Sequence, residues 1–292
     1  MIGVDWGTTN LRAWRFGPDG TIRDRLAAPE GLLSGPPGGF PATLLRHAGA
    51  WIADGETTII MCGMVGSRQG WAEAAYLPCP ADPALLAASL TEVAIPGARA
   101  FIIPGLSCRD AWGRPDVARG EETKGAALIA RLGQASATLV LPGTHGKWMA
   151  IADGRITGFM THMTGEVFSA LSTHTILART LDAEAPHDAA AFAAGVTQAR
   201  EPTGLLHHIF TLRAASLLDG MTPAASLSHL SGLLIGSEIL AGTTLGAAPF
   251  HVLAESGLGA RYVEAFGVLG IPCEAVHGDV TPAGLFAIGG LL

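Results

Sequence analysis

The chain has 292 residues, 49% of them hydrophobic and 15% charged, with a net charge of -7 and a pI near 5.8. This composition supports one large packed domain or two modest ones. It excludes disorder, and with no run of Lys or Arg it excludes a nucleic-acid partner recognised by a basic face. Cys62, Cys79, Cys108 and Cys273 form no CxxC pair and read as reduced thiols of a cytoplasmic protein. Asp5 arrives before any apolar leader, so no signal peptide is expected. The most apolar stretch, LSGLLIGSEILAG, carries Glu238 and is too short for a bilayer span, so no membrane partner is expected either. Residues 226–245 read by default as core rather than interface, which leaves a homodimer open.

In chain order, GVDWG, LRAWRF and TIRDRLA are short runs split by turn residues and predict an antiparallel meander. GPPGGFPATLLRHAGAWIADG predicts a loop and then a helix. TTIIMCGMVGS predicts a buried strand feeding a glycine loop. DPALLAASL predicts a helix with Asp and Pro at its start, and FIIPGL a strand that ends abruptly. CRDAWGRPDVARG is polar and aperiodic, and reads as the joint between two domains, 1–112 and 113–292. EETKGAALIARLG predicts a helix with acids in its first turn, and ATLVLPG a strand that runs into THGKW. MAIADGRITGFMTHMTG predicts a hairpin through Asp153 and Gly154. Residues 165–246 are expected to be mostly helical. FHVLAES, GLGARYVEAFGVLG, IPCEAVHG and TPAGLFAIGGLL then predict strand, helix, strand and a closing helix.

Polarity gathers where strands end. In VDWGTTNLR, Gly7 permits close backbone approach while Thr8, Thr9 and Asn10 offer hydroxyls and an amide. Either this is an ordinary hairpin turn, or it cradles a phosphate, with Asp5 holding a hydrated Mg2+ and Arg12 meeting a phosphoryl oxygen. In LPGTHGKW, Thr144, His145 and Lys147 flank two glycines; the spacing is not that of a Walker loop. Two such turns, facing each other across a cleft, would surround a phosphate chain with backbone N–H groups. In RGEETKGAAL, Glu121 and Glu122 either complement the helix dipole or place a carboxylate to accept a proton from a substrate hydroxyl. In LAESGLG, Ser256 is either a plain N-cap or, with Gly257, a surface for a flat adenine ring.

The order of these motifs resembles the actin-like ATPase and sugar kinase superfamily. DWGTTNLRAW, GMVGSRQGW, IIPGL, RGEET, LPGTHGKW, MTGE and LSGLLIGSE, spread over almost the whole chain, further resemble the 2-dehydro-3-deoxygalactonokinase family. The resemblance implies an α/β fold of two actin-like (ribonuclease H-like) domains, each with a mixed central sheet flanked by helices, and a cleft between them. It implies ATP and Mg2+ as cofactors, and transfer of the γ-phosphoryl group to the terminal 6-hydroxyl of 2-dehydro-3-deoxy-D-galactonate in galactonate catabolism. Asp5 would position Mg2+, and Gly7, Thr8 and Thr9 would cradle the γ-phosphate. Gly143, Thr144 and His145, with Lys147, would hold the β-phosphate side. Ser256 and Gly257 would line the adenosine pocket. Glu121 aligns with the catalytic acid, where related carbohydrate kinases carry Asp, and Glu122 stands beside it. The GMVGS loop corresponds to a sugar-binding loop, which makes Asn10, Ser67, Arg68 and Arg119 the substrate candidates; Arg12 and Arg109 are further arginines for the substrate carboxylate. Two other functions stay open: a kinase of this fold for another sugar acid or sugar, and a non-catalytic nucleotide-binding sensor.

Overall fold

A computed structural model describes residues 1–36, 38–246 and 248–292; residue 37, in the loop expected before the first helix, lies outside them. The first unit comprises Met1–Ala135, Ile151–Gly158 and Asp279–Leu292. It opens with the expected meander, β1 (Ile2–Trp6), β2 (Leu11–Phe16) and β3 (Ile22–Ala28), followed by α1 (Gly39–Ala53) and β4 (Thr58–Gly63). Then come β5 (Tyr76–Pro78), α2 (Pro83–Ala88), β6 (Thr91–Ile95), β7 (Ala98–Ile102), β8 (Gly105–Arg109), β9 (Pro115–Ala118) and α3 (Glu121–Leu132). Six strands form one mixed sheet in the order β3-β2-β1-β4-β7-β6, and β5, β8 and β9 form a smaller one. In the larger sheet β1 runs antiparallel to β2 and parallel to β4. Its alternate residues are buried on both faces, as a central strand requires. Ile2, Val4, Trp6, Leu44, Trp51, Ile59, Met61 and Ile102 make up much of the core on this sheet.

The second unit comprises Ser136–Ala150 and Phe159–Gly278. Its strands are β10 (Ala137–Leu141), β11 (Gly146–Ala152), β12 (Arg155–His162), β13 (Phe250–Leu253) and β14 (Cys273–Val276), in the order β12-β11-β10-β13-β14. The β11–β12 turn holds Asp153 at φ 52° and Gly154 at φ 69°, the paired positive φ of a type I′ hairpin. The tip of that hairpin belongs to the first unit. The helices are α4 (Thr164–His174), α5 (Ala189–Gln198), α6 (Leu205–Leu218), α7 (Pro223–Gly242) and α8 (Gly257–Leu269); α9 (Thr281–Gly289) returns to the first unit. Helices α5 and α7 touch through Gly195 and Gly232. A Cβ on either would stand about 2 Å from a backbone oxygen of the other helix.

Three expectations are corrected here. The segment around CRDAWGRPDVARG is not an aperiodic joint, because β8 and β9 form an antiparallel hairpin within it. The division into compact units does not fall at 112/113: α3 packs with α9 inside the first unit. The apolar stretch at 230–242 is part of a 20-residue helix, α7, long and apolar enough by composition to cross a membrane. That helix is mostly buried, and its Glu238 accepts hydrogen bonds from Trp148 Nε1 at 2.9 Å and the Tyr262 hydroxyl at 2.6 Å. Those are the contacts of a core helix.

Candidate active site

In the first unit β1 and β4 are parallel neighbours, so the turns that follow both leave the sheet at the same, C-terminal end of the strands. The first turn is braced from behind. Gly31 N–H donates to the Thr9 carbonyl at 3.0 Å, Leu32 N–H to Gly7 at 3.1 Å and Leu33 N–H to Thr8 at 2.9 Å. Three successive carbonyls are thus occupied, while Thr8, Thr9 and Asn10 stay exposed. Asp5, Gly7, Thr9, Asn10 and Arg12 line one open cavity of about 460 Å³, together with Ala27, Ala28 and Pro29. Asp5 Oδ2 accepts from Arg12 Nη2 at 2.5 Å, and Arg12 Nη1 donates to Asp279 at 2.8 Å. Among the described residues, Asp5 Oδ1 takes only a long contact from the Cys62 thiol, 3.8 Å. Burial and the nearby Asp5 push that thiol well above its ordinary pKa, so it stays protonated and offers its hydrogen.

The turn after β4 brings in the acids. Gly63 has φ 93°, and a Cβ there would stand 2.8 Å from the Trp6 carbonyl and 3.1 Å from Asp5 Oδ1. Gly120 approaches the same glycine, its own Cβ position lying 3.4 Å from Gly63 Cα. The backbone ahead of Glu121 and Glu122 therefore lies beside the end of β1. The two acids differ. Glu121 is half-buried, and its carboxylate accepts the Arg119 N–H at 3.0 Å. Glu122 is completely buried and accepts the Gly120 N–H at 2.6 Å. Loss of hydration, and after it the charge of Glu121, push Glu122 up to about 8.

Of the substrate candidates, Asn10 lines the cavity. Ser67 and Arg119 flank Gly66, while Arg68 stands apart, exposed, with Glu73 3.7 Å away. Arg109 lies in the β8–β9 hairpin and donates to the Gly113 carbonyl at 2.6 Å.

The second unit repeats the logic. β10 and β13 are parallel neighbours, so the turns after them, at 142–145 and 254–257, leave that sheet at the same, C-terminal end of the strands. Thr144 and His145 are exposed, and the Thr144 carbonyl accepts the Glu166 N–H at 3.1 Å, which holds the start of α4 against the turn. The His145 ring is paired with the Glu166 carboxylate. Gly143 lies in the same turn, but Lys147 does not point out of it: the residue is buried in β11. Ser256 occupies the N-cap position of α8, yet its hydroxyl makes no capping hydrogen bond, and the space around Gly257 is open. Asp279, Gly31 and Glu166 contact Arg12 and these turns and carried no signal of their own in the sequence beyond MTGE, which marked Glu166 as part of a motif.

Both sheets have the mixed topology and strand-end turns of the actin-like ATPases and sugar kinases. Two solved structures, the activator of the 2-hydroxyisocaproyl-CoA dehydratase from Clostridium difficile and component A of the Acidaminococcus fermentans (R)-2-hydroxyglutaryl-CoA dehydratase, share the fold at TM-scores of 0.52 and 0.53 with 11% and 10% identity, a likeness of fold alone. A family model described as 2-keto-3-deoxy-galactonokinase matches residues 5–288, and the chain belongs to that family. It is 40% identical to a probable 2-dehydro-3-deoxygalactonokinase of Rhizobium meliloti, over 97% of this chain and 94% of that one. It is 36% identical to the 2-dehydro-3-deoxygalactonokinase of Escherichia coli, over 95% and 93%. A crystal structure of a putative 2-dehydro-3-deoxygalactonokinase from Sinorhizobium meliloti superposes with a TM-score of 0.91 at 38% identity, covering 98% of this chain and 97% of that one.

Proposed function

We propose that this protein is a cytoplasmic kinase that transfers the γ-phosphoryl group of ATP to the 6-hydroxyl of 2-dehydro-3-deoxy-D-galactonate. The observation that carries the reading is the meeting of Asp5, Gly63 and Gly120 in the first unit, which brings a carboxylate for the metal side close to the acids that open α3. Family membership supplies the acceptor. In this reading the hydroxyl oxygen attacks phosphorus, the bond to the β-phosphate oxygen breaks, and the hydroxyl proton passes to Glu121. ADP and the phosphorylated sugar acid leave. Glu121 suits the base because it is half-open to a substrate; Glu122 is enclosed and holds the Gly120 amide instead.

Positioning and charge stabilisation carry most of a phosphoryl transfer. Gly7, Thr8 and Thr9 would cradle the γ-phosphate, with Arg12 beside them. In the second unit Gly143, Thr144 and His145 would hold the β-phosphate side, and Ser256 and Gly257 the adenosine. Asp5 fits a Mg2+ ion held through water: it is a single, partly exposed carboxylate in an open polar cavity, and among the described residues one of its oxygens carries only the thiol contact. Bound there, the ion would neutralise charge on the phosphates.

The test is an ADP-release assay with ATP, Mg2+ and a panel of sugar acids and sugars. Turnover with 2-dehydro-3-deoxy-D-galactonate above all others is the expected result. ADP release with a different acceptor would move the specificity, and nucleotide binding without acceptor-dependent release would overturn the kinase reading.

A further inference from the structure

Arg119 ends the strand-to-helix connection ahead of α3, and its guanidinium is held from three directions. It lies over the Tyr76 ring, 4.2 Å from the centroid. Nε donates to the Tyr76 hydroxyl at 3.3 Å, and Nη2 to the Ala74 carbonyl at 2.7 Å. Nη1 is buried and has no hydrogen-bond partner. Among the described residues no carboxylate forms an ion pair with it. A second orphan follows Gly66 in the chain. Ser67 is 8% exposed, and its Oγ is buried without a partner. Gly66 packs against the guanidinium; a Cβ there would stand 2.9 Å from Arg119 Nη1 and 2.8 Å from Ile102.

Folded proteins seldom leave buried donors unsatisfied. A guanidinium fixed by stacking and by two hydrogen bonds, with one amino edge unfilled, is preorganised for a planar anion. The other arginines are engaged differently. Arg12 is committed to Asp5 and Asp279, Arg109 to the Gly113 carbonyl, and Arg68 is 82% exposed beside Glu73.

We propose that Arg119, with Ser67, forms the recognition site for the carboxylate of the sugar acid. The proposal rests on the kinase reading above. The acceptor has a comparable reach: in an extended six-carbon chain the carboxylate carbon and the 6-hydroxyl oxygen lie about 7.5 Å apart, six bonds of about 1.5 Å in zigzag, roughly the reach of an arginine side chain. The Arg119 guanidinium stands one arginine side chain away from its own backbone N–H, the group that holds Glu121. One residue thus binds the fixed end of the substrate with its side chain and orients the base at the reacting end with its main chain.

The experiment compares two acceptors, 2-dehydro-3-deoxy-D-galactonate and its methyl ester, in wild type, Arg119→Gln, Arg119→Lys and Ser67→Ala. Turnover is read by ADP release, and binding of the acid is read separately by tryptophan fluorescence. Arg119→Gln is expected to raise KM for the acid about 10–100-fold, the range for hydrogen bonds to a charged group, with a smaller change in kcat. The preference of wild type for acid over ester should collapse in that variant. Arg119→Lys should restore part of it, because a point charge replaces the fork, and Ser67→Ala should lose less than Arg119→Gln. Equal losses for acid and ester would make Arg119 merely structural and overturn the proposal, as would a variant with unchanged KM. If wild type binds the acid but does not phosphorylate it, while Arg119→Gln fails to bind it, the arginine assignment stands and the kinase reading falls. If wild type phosphorylates the acid and Arg119→Gln binds it equally well, the arginine assignment falls alone. If wild type neither binds nor phosphorylates the acid, both fall.

Discussion

Burial separates the two adjacent carboxylates that open α3. Glu121 keeps access to solvent, and Glu122 has none. Glu121→Gln is therefore expected to slow turnover by about 10²–10⁴-fold, the range for a lost general base, with ATP affinity retained in a nucleotide titration. Glu122→Gln should stay within about tenfold of wild type near neutral pH, because an amide imitates the protonated acid that burial favours there. A reversal of the two results would exchange the roles. The same acid predicts a pH effect on stability. Its carboxyl moves from an ordinary value of 4.5 to about 8 on folding, so the folded chain holds the proton more tightly than the unfolded one between those values. The stability this supplies is full below pH 4.5 and is lost as pH rises through about 8, at up to about 1.4 kcal/mol per pH unit. Glu122→Gln lacks that slope, so urea midpoints at pH 5 and pH 8 should show the variant gaining on wild type; parallel curves would refute it. Asp5→Asn should shift the magnesium titration of activity to higher concentration and also strip Arg12 of one of its two anions.

At the scale of the element, the turn at 7–10 owes its shape to a strap. Gly31 lies flat against it, and a Cβ there would come within 2.4 Å of the Thr9 backbone. Gly31→Ala should cost about 1–3 kcal/mol by overpacking and raise KM for ATP, whereas Gly49→Ala, on α1 with open space around it, should be neutral or stabilising. Thermal melts and ATP titrations of the pair check this. The turn itself was legible in the sequence, since a strand ending in acid, glycine, hydroxyls and amide marks a polar turn. The strap was not, because PEGLL is chemically an ordinary loop and its task appears only when the chain folds back on residues 7–9. The β8–β9 hairpin was hidden for another reason. Its strands are short and belong to a small sheet with an exposed face, so Cys108, Arg109 and Asp116 break the apolar alternation on which strand recognition rests.

For the whole molecule, the order of elements along the chain was readable, and the assignment of elements to units was not. Periodicity reports which residues seek a core, not which core they join. Helix α9 lies at the far end of the sequence from β1, yet it packs on α3, β1 and β4, with Leu285 and Ile288 fully buried and Phe286 5.6 Å from Phe16. A fragment of residues 1–135 should therefore fail to fold cooperatively, since it lacks about 1.5–3 kcal/mol of burial for each such side chain. Supplying residues 279–292 through a flexible linker should improve it; circular dichroism and amide dispersion would report the difference, and a well-folded 1–135 would refute the expectation. Because Met1 and Leu292 both belong to the first unit, the second is threaded into it as an insertion. Stretched by its two ends in an optical trap, the molecule would yield first where the closing helix peels away, and the inserted unit would feel tension only after its host had given way.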